Sequence, residues 1–340
     1  MKNDIKPKPM AVLGGGSFGT VVANMLAENG HQVRLWLRSQ AVVDEVNQQH
    51  TNHQYLPDFD LHPSLVASTD MHEVTHGTGL LFIAVPSHSF RDVALQLKSK
   101  LSTHVALVSL TKGIEAESFK RMSQVLNDVL PANPVAVVSG PNLAIEIAQK
   151  QLTATVCASE DSELSRTIQS VLGNTYFRVY SSTDVFGVEL GGALKNIYAI
   201  MCGMAHTLEC GSNTLGTLLT RSLAEMTRFA VATGANPLTF LGLAGVGDLL
   251  TTCLSPLSRN FRVGEALAQG KVLADIQHEL GQVSEGVNTL RLVKEQADKQ
   301  GIYMPLVTGM ADIMFNGKSL DAVIAELMNA EQAQDVDCVV

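Results

Sequence analysis

The sequence predicts a doubly wound α/β domain followed by an all-α domain. Short apolar runs alternate with helical stretches as far as about residue 180, which is typical of a sheet covered by helices on both faces. Beyond that point the strand signal disappears and helical patterns continue. The length of 340 residues allows two domains. We expect a disordered leader at 1–9, the α/β domain at 10–185, the helical domain at 186–330 and a frayed tail at 331–340.

Composition narrows the class of protein. The chain is 46% hydrophobic and 17% charged, as expected for a globular protein, and its net charge of −9 disfavours a general nucleic-acid binder. We expect no membrane span, because no uninterrupted apolar run approaches about 18 residues. The absence of an apolar signal core near the N-terminus, together with five scattered cysteines without a CxxC pair, favours a reducing cytoplasm. No histidines, cysteines and acids cluster at ligand spacing, so we expect no metal and exclude a zinc dehydrogenase.

The N-terminal region carries a glycine motif in a specific context. Gly14, Gly16 and Gly19 are spaced as Gly-x-Gly-x-x-Gly. The surrounding elements are predicted as a strand at Met10–Leu13, a helix at Thr20–Asn29 and a strand at Gln32–Leu37. In this setting the first glycine allows a tight turn, the second lets a pyrophosphate approach the backbone, and the third lets helix and strand pack closely. The helix N-terminus would face the phosphates, so the motif predicts a Rossmann-type dinucleotide-binding domain.

The end of the second strand bears on the choice of dinucleotide. A site selective for NAD(H) usually has an acid there that holds the ribose 2′-hydroxyl. This chain has no acid at that point, and Arg38 stands where a 2′-phosphate would lie. We therefore favour NADP(H), with NAD(H) as a second possibility; the alternative is that Arg38 is a solvated surface arginine.

Polar residues follow several of the remaining predicted strands. These strands are predicted at Leu80–Val85, Val105–Leu110, Val135–Val138, Thr153–Ala158 and Tyr176–Tyr180. Ligands of such sheets bind beyond the carboxyl ends of the strands. Thr111–Gly113 and Ser139–Asn142 both lie at that edge, so Lys112 is a candidate functional residue, although it could instead be an ordinary surface lysine.

The stretch from Phe186 to His206 is predicted to be one helix with unusual residues in its middle. Gly191, Gly192 and Lys195 share a face, because residues three and four apart lie together on a helix. Adjacent glycines cost roughly 1 kcal/mol each in a helix, so we expect a bare patch that gives a substrate room beside an ammonium. The alternative is a tightly packed helix crossing with a lysine that snorkels to solvent.

A second polar group lies in the stretch from Thr239 to Asn260. A glycine-rich turn precedes Asp248, and Ser258, Arg259 and Asn260 close the stretch. The guanidinium of Arg259 suits a phosphate or a carboxylate. The alternative is that Ser258 caps a helix and Arg259 is solvated. Other elements are predicted as helices at Asp44–Gln49, Leu215–Thr233, Phe261–Gln269, Val272–Leu280, Leu306–Phe315 and Leu320–Leu327, and as a turn at Val283–Gly286.

Together these motifs resemble the bacterial NAD(P)-dependent glycerol-3-phosphate dehydrogenases, over about residues 10 to 325. The matching segments are Gly14–Thr20, Thr111–Gly113, Ser139–Pro141, Glu189–Asn196, Gly242–Leu249 and Ser258–Asn260. The resemblance implies reversible reduction of dihydroxyacetone phosphate to sn-glycerol 3-phosphate, feeding glycerophospholipid synthesis. It also implies an active site between the two domains and a homodimer.

The resemblance further implies roles for individual residues. Lys195 would be the general acid/base, with Lys112 and Asp248 as further catalytic residues. The substrate would be bound by Lys112, Gly140, Asn142, Lys195, Asp248, Ser258, Arg259 and Asn260. The cofactor would be bound by Gly14, Gly16, Ser17, Phe18, Gly19, Arg38, Lys112, Ala144, Arg259, Val283 and Glu285. We expect Lys112 to lie near Lys195, and Arg259 with Asn260 to hold the substrate phosphate.

The chain departs from the family pattern at three positions. Asn142 and Leu143 stand where serine or threonine and then phenylalanine are usual, and Ser222 stands where glycine is usual.

Two rival functions remain open. One is a related two-domain reductase of the β-hydroxyacid or 6-phosphogluconate type, which the Gly242–Leu249 and Ser258–Asn260 segments disfavour. The other is a dinucleotide-binding regulator without turnover, which would not need Lys112, Lys195 and Asp248 together.

Overall fold

The computed structural model describes residues 8–279 and 285–329 of the chain. These residues form two compact units. The first comprises residues 8–115 and 120–185, and the second comprises residues 116–119, 186–279 and 285–329. All but residues 8 and 9 of the predicted leader, and the whole predicted tail, lie outside the described residues, and the predicted domain bounds stay predictions.

An eight-stranded sheet organises the first unit. Its strands are β1 (Met10–Leu13), β2 (Val33–Trp36), β3 (Val66–Ser68), β4 (Leu80–Ile83), β5 (Ala106–Ser109), β6 (Val135–Ser139), β7 (Thr153–Ala158) and β8 (Phe177–Ser182). Their order is β3-β2-β1-β4-β5-β6-β7-β8. Neighbouring strands are parallel except at the antiparallel pair β6–β7. The chain moves outward from β1 in both directions, which confirms the predicted doubly wound class.

One helix lies between each two consecutive strands, and the sheet carries a core on each face. The helices are α1 (Ser17–Glu28), α2 (Gln40–Gln49), α3 (Met71–Thr75), α4 (Ser87–Leu97), α5 (Met122–Val129), α6 (Ala144–Ala148) and α7 (Ser162–Leu172). Successive strand residues point to opposite faces, so Val12 joins one core cluster while Ala11 and Leu13 join the other. This double burial explains why the central strands are continuous apolar runs.

Sequence reasoning missed one strand of the first unit and misplaced the start of one helix. The strand β3 was missed, because three residues give no periodicity to recognise. The helix α1 begins at Ser17 rather than Thr20, so Ser17 and Phe18 form its first turn instead of preceding it. This shift places the backbone amides of both residues at a helix N-terminus.

Secondary structure in the described part of the second unit is helical, as predicted. The helices are α8 (Val185–Thr207), α9 (Ser212–Ala232), α10 (Asp248–Cys253), α11 (Arg259–Ala268), α12 (Leu273–Glu279), α13 (Glu285–Gln300), α14 (Pro305–Asn316) and α15 (Leu320–Asn329), with a 3₁₀ turn at Pro237–Leu241 and a π-helical turn at Leu243–Gly247. The prediction of a turn at Val283–Gly286 was wrong for Glu285 and Gly286, which begin α13. Val283 and Ser284 lie outside the described residues.

The helix α8 is the core element of this unit. By length and composition it could cross a membrane, but 83% of its most apolar window is buried inside the protein. The apolar sequence is interrupted by Glu189 and Lys195, which are 8% and 6% exposed. These properties are those of a buried core helix rather than a clear membrane span.

A buried carboxylate joins three helices of the second unit. Glu225 of α9 is 2% exposed and accepts hydrogen bonds from the backbone amides of Leu306 at 2.8 Å and Val307 at 3.2 Å. It also accepts one from the Tyr198 hydroxyl of α8 at 3.0 Å. The helix α14 begins with a proline and no side chain of its own N-cap residue caps it. Glu225 therefore supplies an acceptor that the first amides of α14 need.

We expect Glu225 to make the stability of the second unit depend on pH. Burial raises the pKa of Glu225 from 4.5 to about 7, although the two amide donors oppose the shift. A carboxyl whose folded-state pKa is raised stabilises the fold fully below its unfolded pKa, and this contribution is lost as the pH rises towards 7. The substitution Glu225→Gln should remove this component, which is on the order of 3 kcal/mol.

Denaturant unfolding at pH 5, 6, 7 and 8 would measure the effect. The free energy of unfolding of the wild type, relative to that of Glu225→Gln, should fall as the pH rises. Glu295→Gln, at an exposed position on α13, is the control and should follow the wild-type pH profile. Parallel profiles for the wild type and Glu225→Gln would contradict the expectation.

Candidate active site

Two glycines of the loop after β1 are required for steric reasons. Gly14 has φ +109°, and a Cβ there would lie 2.6 Å from the Ala84 carbonyl oxygen. A Cβ on Gly19 would lie 1.9 Å from the Gly14 carbonyl oxygen. The loop therefore has the tight turn and the close helix approach that a dinucleotide-binding motif requires.

Gly16 leaves open space at the start of α1. It is the N-cap residue of this 12-residue helix, makes no side-chain capping bond, and has no atom within 4 Å of a Cβ built on it. Ser17 and Phe18 form the first turn. A helix N-terminus without a capping side chain, next to open space, can bind an anion. The loop thus fits the pyrophosphate of a dinucleotide.

Arg38 lies at the same edge of the sheet. It is exposed and follows the end of β2 by two residues, just before Ser39, the N-cap residue of α2. Its position beyond the carboxyl end of a strand next to the glycine loop is compatible with contact to a ribose phosphate.

Lys112 is bonded to the neighbouring strand end. It follows β5, and its Nζ donates to the carbonyl oxygen of Gly140, which follows β6, at 2.8 Å. Gly140 has φ +147°, and a Cβ there would lie 3.1 Å from the Thr155 hydroxyl oxygen. Lys112 is therefore bonded at the carboxyl edge of the sheet and is not simply an exposed surface lysine.

Asn142 has a definite partner although it departs from the family pattern. Its amide nitrogen donates to the Thr155 hydroxyl at 2.9 Å, and that hydroxyl donates to the Ser139 carbonyl oxygen at 3.1 Å. The Oδ1 atom of Asn142 is buried without a hydrogen-bond partner. Ala144 then begins α6. The residues predicted around Gly140 are thus brought together within the first unit.

In the second unit the structure brings Lys195 and Asp248 together. The Nζ of Lys195 donates to Asp248 Oδ1 at 2.5 Å and to the Thr252 hydroxyl oxygen at 2.6 Å. The Thr252 hydroxyl oxygen lies 3.3 Å from the same carboxylate oxygen. Lys195 is 6% exposed and Asp248 is fully buried. The ammonium is therefore held by a carboxylate and a hydroxyl one turn apart on α10.

Close backbone contact produces this arrangement. A Cβ on Gly191 of α8 would lie 2.4 Å from the carbonyl oxygen of Ala244, in the π-helical turn that leads directly to Asp248. A Cβ on Gly245 would lie 2.3 Å from the Phe240 backbone. The prediction that Gly191 leaves room for a substrate was wrong, because protein backbone occupies that face. Tight packing is the correct alternative for Gly191, but Lys195 is buried rather than snorkelling.

The Ser258–Asn260 segment makes bonds within the protein. Ser258 is the N-cap residue of α11 and accepts from the Phe261 amide at 3.3 Å, as the capping alternative predicted. Arg259 is exposed in the first turn of α11. The Oδ1 of Asn260 accepts from the Gly286 amide at 3.1 Å, next to Glu285 at the start of α13. Val283 lies outside the described residues.

Sequence reasoning missed one residue of the lysine site. Thr252 was not predicted, although its position four residues after Asp248 on a helix indicates that the two side chains share a face.

The departure at Ser222 has a local explanation, because its buried hydroxyl donates to the Leu218 carbonyl oxygen at 2.6 Å. Within residues 8–279 and 285–329, no group of three histidine, cysteine or acidic side chains is arranged to hold a metal.

Two family models match nearly the whole chain. Residues 9–165 match the NAD-dependent glycerol-3-phosphate dehydrogenase N-terminus, and residues 184–325 match the corresponding C-terminus. A glycerol-3-phosphate dehydrogenase [NAD(P)+] of Pseudomonas fluorescens is 55% identical over 330 residues, covering 97% of this chain and 93% of the relative. One from Azotobacter vinelandii is 54% identical over 333 residues, covering 98% of each.

Solved structures of glycerol-3-phosphate dehydrogenases are also similar to this chain. A glycerol-3-phosphate dehydrogenase from Coxiella burnetii superposes with a TM-score of 0.91 at 36% identity, covering 95% of this chain and 99% of that one. A TM-score of 0.82 at 27% identity relates the chain to a glycerol-3-phosphate dehydrogenase of Saccharomyces cerevisiae, covering 94% and 99%.

We expect substitutions of the loop glycines to separate binding from folding. Gly16→Ala should fold normally, because its Cβ meets no atom, yet weaken dinucleotide binding at least about tenfold by placing a methyl group where a phosphate approaches. Gly19→Ala should instead destabilise the fold by about 1–3 kcal/mol through overpacking. Thermal unfolding and NADPH fluorescence titration would measure the two effects, and normal NADPH affinity in Gly16→Ala would contradict this site.

Proposed function

The chain belongs to the NAD-dependent glycerol-3-phosphate dehydrogenase family, and from this premise we propose how its residues perform the reaction. The chain is an oxidoreductase, a glycerol-3-phosphate dehydrogenase [NAD(P)+]. Its proposed reaction is the reversible reduction of dihydroxyacetone phosphate to sn-glycerol 3-phosphate. The observation that carries the proposal is the buried cluster of Lys195, Asp248 and Thr252.

Lys195 is the proposed general acid/base. The bound dinucleotide supplies the hydride, and negative charge then develops on the substrate carbonyl oxygen as carbon C2 is reduced. An ammonium at that oxygen stabilises the charge and delivers the proton. In the reverse direction the neutral amine accepts the proton from the hydroxyl group.

Asp248 and Thr252 position the ammonium for this step. Their two bonds to Nζ leave one of its three protons to be directed at the substrate. The carboxylate also compensates the charge of the buried ammonium. Lys112 is proposed as a further catalytic residue that contacts both substrate and cofactor.

The remaining polar residues are proposed to bind the substrate. Arg259 offers a planar fork of donors for the phosphate, and Asn260 and Ser258 lie beside it at the start of α11. Gly140 and Asn142 are proposed as further substrate-binding residues. Binding the phosphate, away from the reacting carbon, holds the carbonyl in position and contributes to the rate.

The cofactor is proposed to be NADP(H) by preference, with NAD(H) as the alternative. Its pyrophosphate would lie at the glycine loop, and Arg38 would contact the 2′-phosphate. The proposed cofactor residues are Gly14, Gly16, Ser17, Phe18, Gly19, Arg38, Lys112, Ala144, Arg259, Val283 and Glu285. We further propose a dinucleotide-binding domain at 10–185, a substrate and catalytic domain at 186–330, a cytoplasmic homodimer and a role in phospholipid synthesis.

The first test is oxidation of NADPH and of NADH by purified protein with dihydroxyacetone phosphate, followed by absorbance. Lys195→Ala should lower kcat by about 10²–10⁴-fold while NADPH still binds, because only the proton transfer and charge stabilisation are lost. Lys294→Ala, which removes an exposed ion pair with Asp298 on α13, is the control and should retain wild-type kcat.

Two outcomes would overturn these assignments. Near-normal turnover by Lys195→Ala would exclude it as the acid/base. The double variant Lys195→Met/Asp248→Asn removes both charges and covers the case in which Lys195→Ala does not fold because Asp248 is left unpaired. A wild type that binds the dinucleotides but oxidises neither with dihydroxyacetone phosphate would favour the related reductases.

A second test concerns the dinucleotide preference. Arg38→Ala should lower kcat/KM for NADPH about tenfold relative to kcat/KM for NADH, since only NADPH carries the 2′-phosphate. Arg166→Ala, on α7, removes an exposed arginine paired with Glu163 and should leave the ratio unchanged. An unchanged ratio in Arg38→Ala would show that this residue is a solvated surface arginine.

A further inference from the structure

We propose that Asn52 is a positioning residue for the dinucleotide-binding loop. Its side-chain amide, together with the Thr20 hydroxyl, fixes the Gly15 carbonyl and thereby sets the direction of the next backbone amide, that of Gly16. The inference rests on the proposed function only in that the loop binds NAD(P)(H). It gives a role to Asn52 and Thr20, which are not among the three glycines of the motif.

The three groups form a closed hydrogen-bonded triangle. The Nδ2 of Asn52 donates to the Gly15 carbonyl oxygen at 3.1 Å and to the Thr20 hydroxyl oxygen at 2.9 Å. The Thr20 hydroxyl donates to the same Gly15 oxygen at 3.2 Å. Asn52 and Thr20 are both fully buried. One backbone carbonyl of the loop is thus held by two side-chain donors out of contact with water.

The chemistry of the triangle fixes the orientation of the Asn52 amide. The hydroxyl proton of Thr20 is directed at Gly15, so the hydroxyl oxygen must accept a hydrogen bond. Both neighbours of the Asn52 amide are then acceptors, and only its NH₂ group can satisfy them. The Oδ1 of Asn52 is accordingly buried without a partner. Asn52 therefore serves the loop as a donor, even though one buried acceptor is left unpaired.

Holding the Gly15 carbonyl also orients the amide of Gly16. The carbonyl and the N–H of one trans peptide point in opposite directions. The Gly15 oxygen faces Asn52, so the Gly16 N–H faces away from it. Leu37 packs so closely on Gly15 that a Cβ there would lie 1.5 Å from the Leu37 Cδ2. Rotation of this peptide would break two hydrogen bonds and disturb this contact, so the loop is preorganised before the dinucleotide binds.

The position of Asn52 is itself fixed by a compact turn after α2. Its backbone carbonyl accepts from the amides of Tyr55 at 3.1 Å and Leu56 at 2.8 Å. Leu56 is 1% exposed and belongs to the core of the first unit. A segment anchored in the core therefore delivers Asn52 to a loop 37 residues earlier in the chain.

The test uses the full chain and NADPH as the probe, without substrate. Asn52→Ala and the nearly isosteric Thr20→Val should each raise the Kd for NADPH about tenfold, measured by fluorescence titration. Because both act on one carbonyl, the double variant should bind only slightly more weakly than either single variant. Circular dichroism and thermal unfolding would establish that each variant is folded.

Asn133→Ala is the matched control. Asn133 is 8% exposed, and its amide donates to two backbone carbonyl oxygens, those of Ser102 at 2.9 Å and Val105 at 2.8 Å. It lies before β6, at the amino edge of the sheet, and makes no bond to the glycine loop. Asn133→Ala should lower the thermal midpoint but keep the wild-type Kd for NADPH, which separates loss of stability from loss of positioning.

Two results would overturn the proposal. One is a folded Asn52→Ala whose Kd for NADPH is within about twofold of the wild-type value or no higher than that of Asn133→Ala. This result would overturn the role of Asn52 but not the proposed cofactor site. If Asn52→Ala does not fold, the Kd of Thr20→Val decides by the same criterion. A wild type that binds neither NADPH nor NADH would instead break the proposed function, and this inference would fall with it.

Discussion

The buried pair of Lys195 and Asp248 is the interaction on which the second unit depends. A charged side chain removed from water costs several kcal/mol unless a partner compensates it, so the helix that carries Lys195 requires the carboxylate beside it. The ion pair in turn requires close backbone contact between α8 and the π-helical turn that precedes Asp248. Gly191 allows this contact with Ala244, and the intervening π-helical turn aims Asp248 at the ammonium. The proposed acid/base chemistry of Lys195 and the packing of this unit therefore depend on the same ion pair.

The first unit meets a comparable constraint without a buried charge. Its loop must present backbone amides to an anion, so its carbonyl groups have to be held elsewhere. Gly14 and Gly19 remove the side chains that would prevent the turn, while Asn52 and Thr20 hold the Gly15 carbonyl from the core side. In both units, glycines permit a close approach and buried polar side chains fix the backbone or the functional group there.

The fold was predicted from local sequence patterns. Continuous apolar runs located the central strands, since those strands are buried on both faces. The short strand β3 lacked enough residues to show a period. The sequence predicts a turn at Val283–Gly286, whereas in the structure Gly286 lies in the first turn of α13 and its amide donates to Asn260. Gly286 therefore reflects a tertiary contact rather than a break in the helix.

The sequence by itself determined the class of fold and the glycine loop, and it made Lys195 and Asp248 candidate functional residues, because these inferences depend on side-chain chemistry and short spacings. Tertiary structure alone decided that Thr252 shares the ammonium, that backbone fills the face of Gly191, and that Asn52 holds the loop. Those contacts join residues that are far apart in the chain, with a separation of 57 residues between Lys195 and Thr252 and of 37 residues between Gly15 and Asn52. Spacing along a sequence records which groups are near one another on one element, but only the packing of elements determines which groups meet.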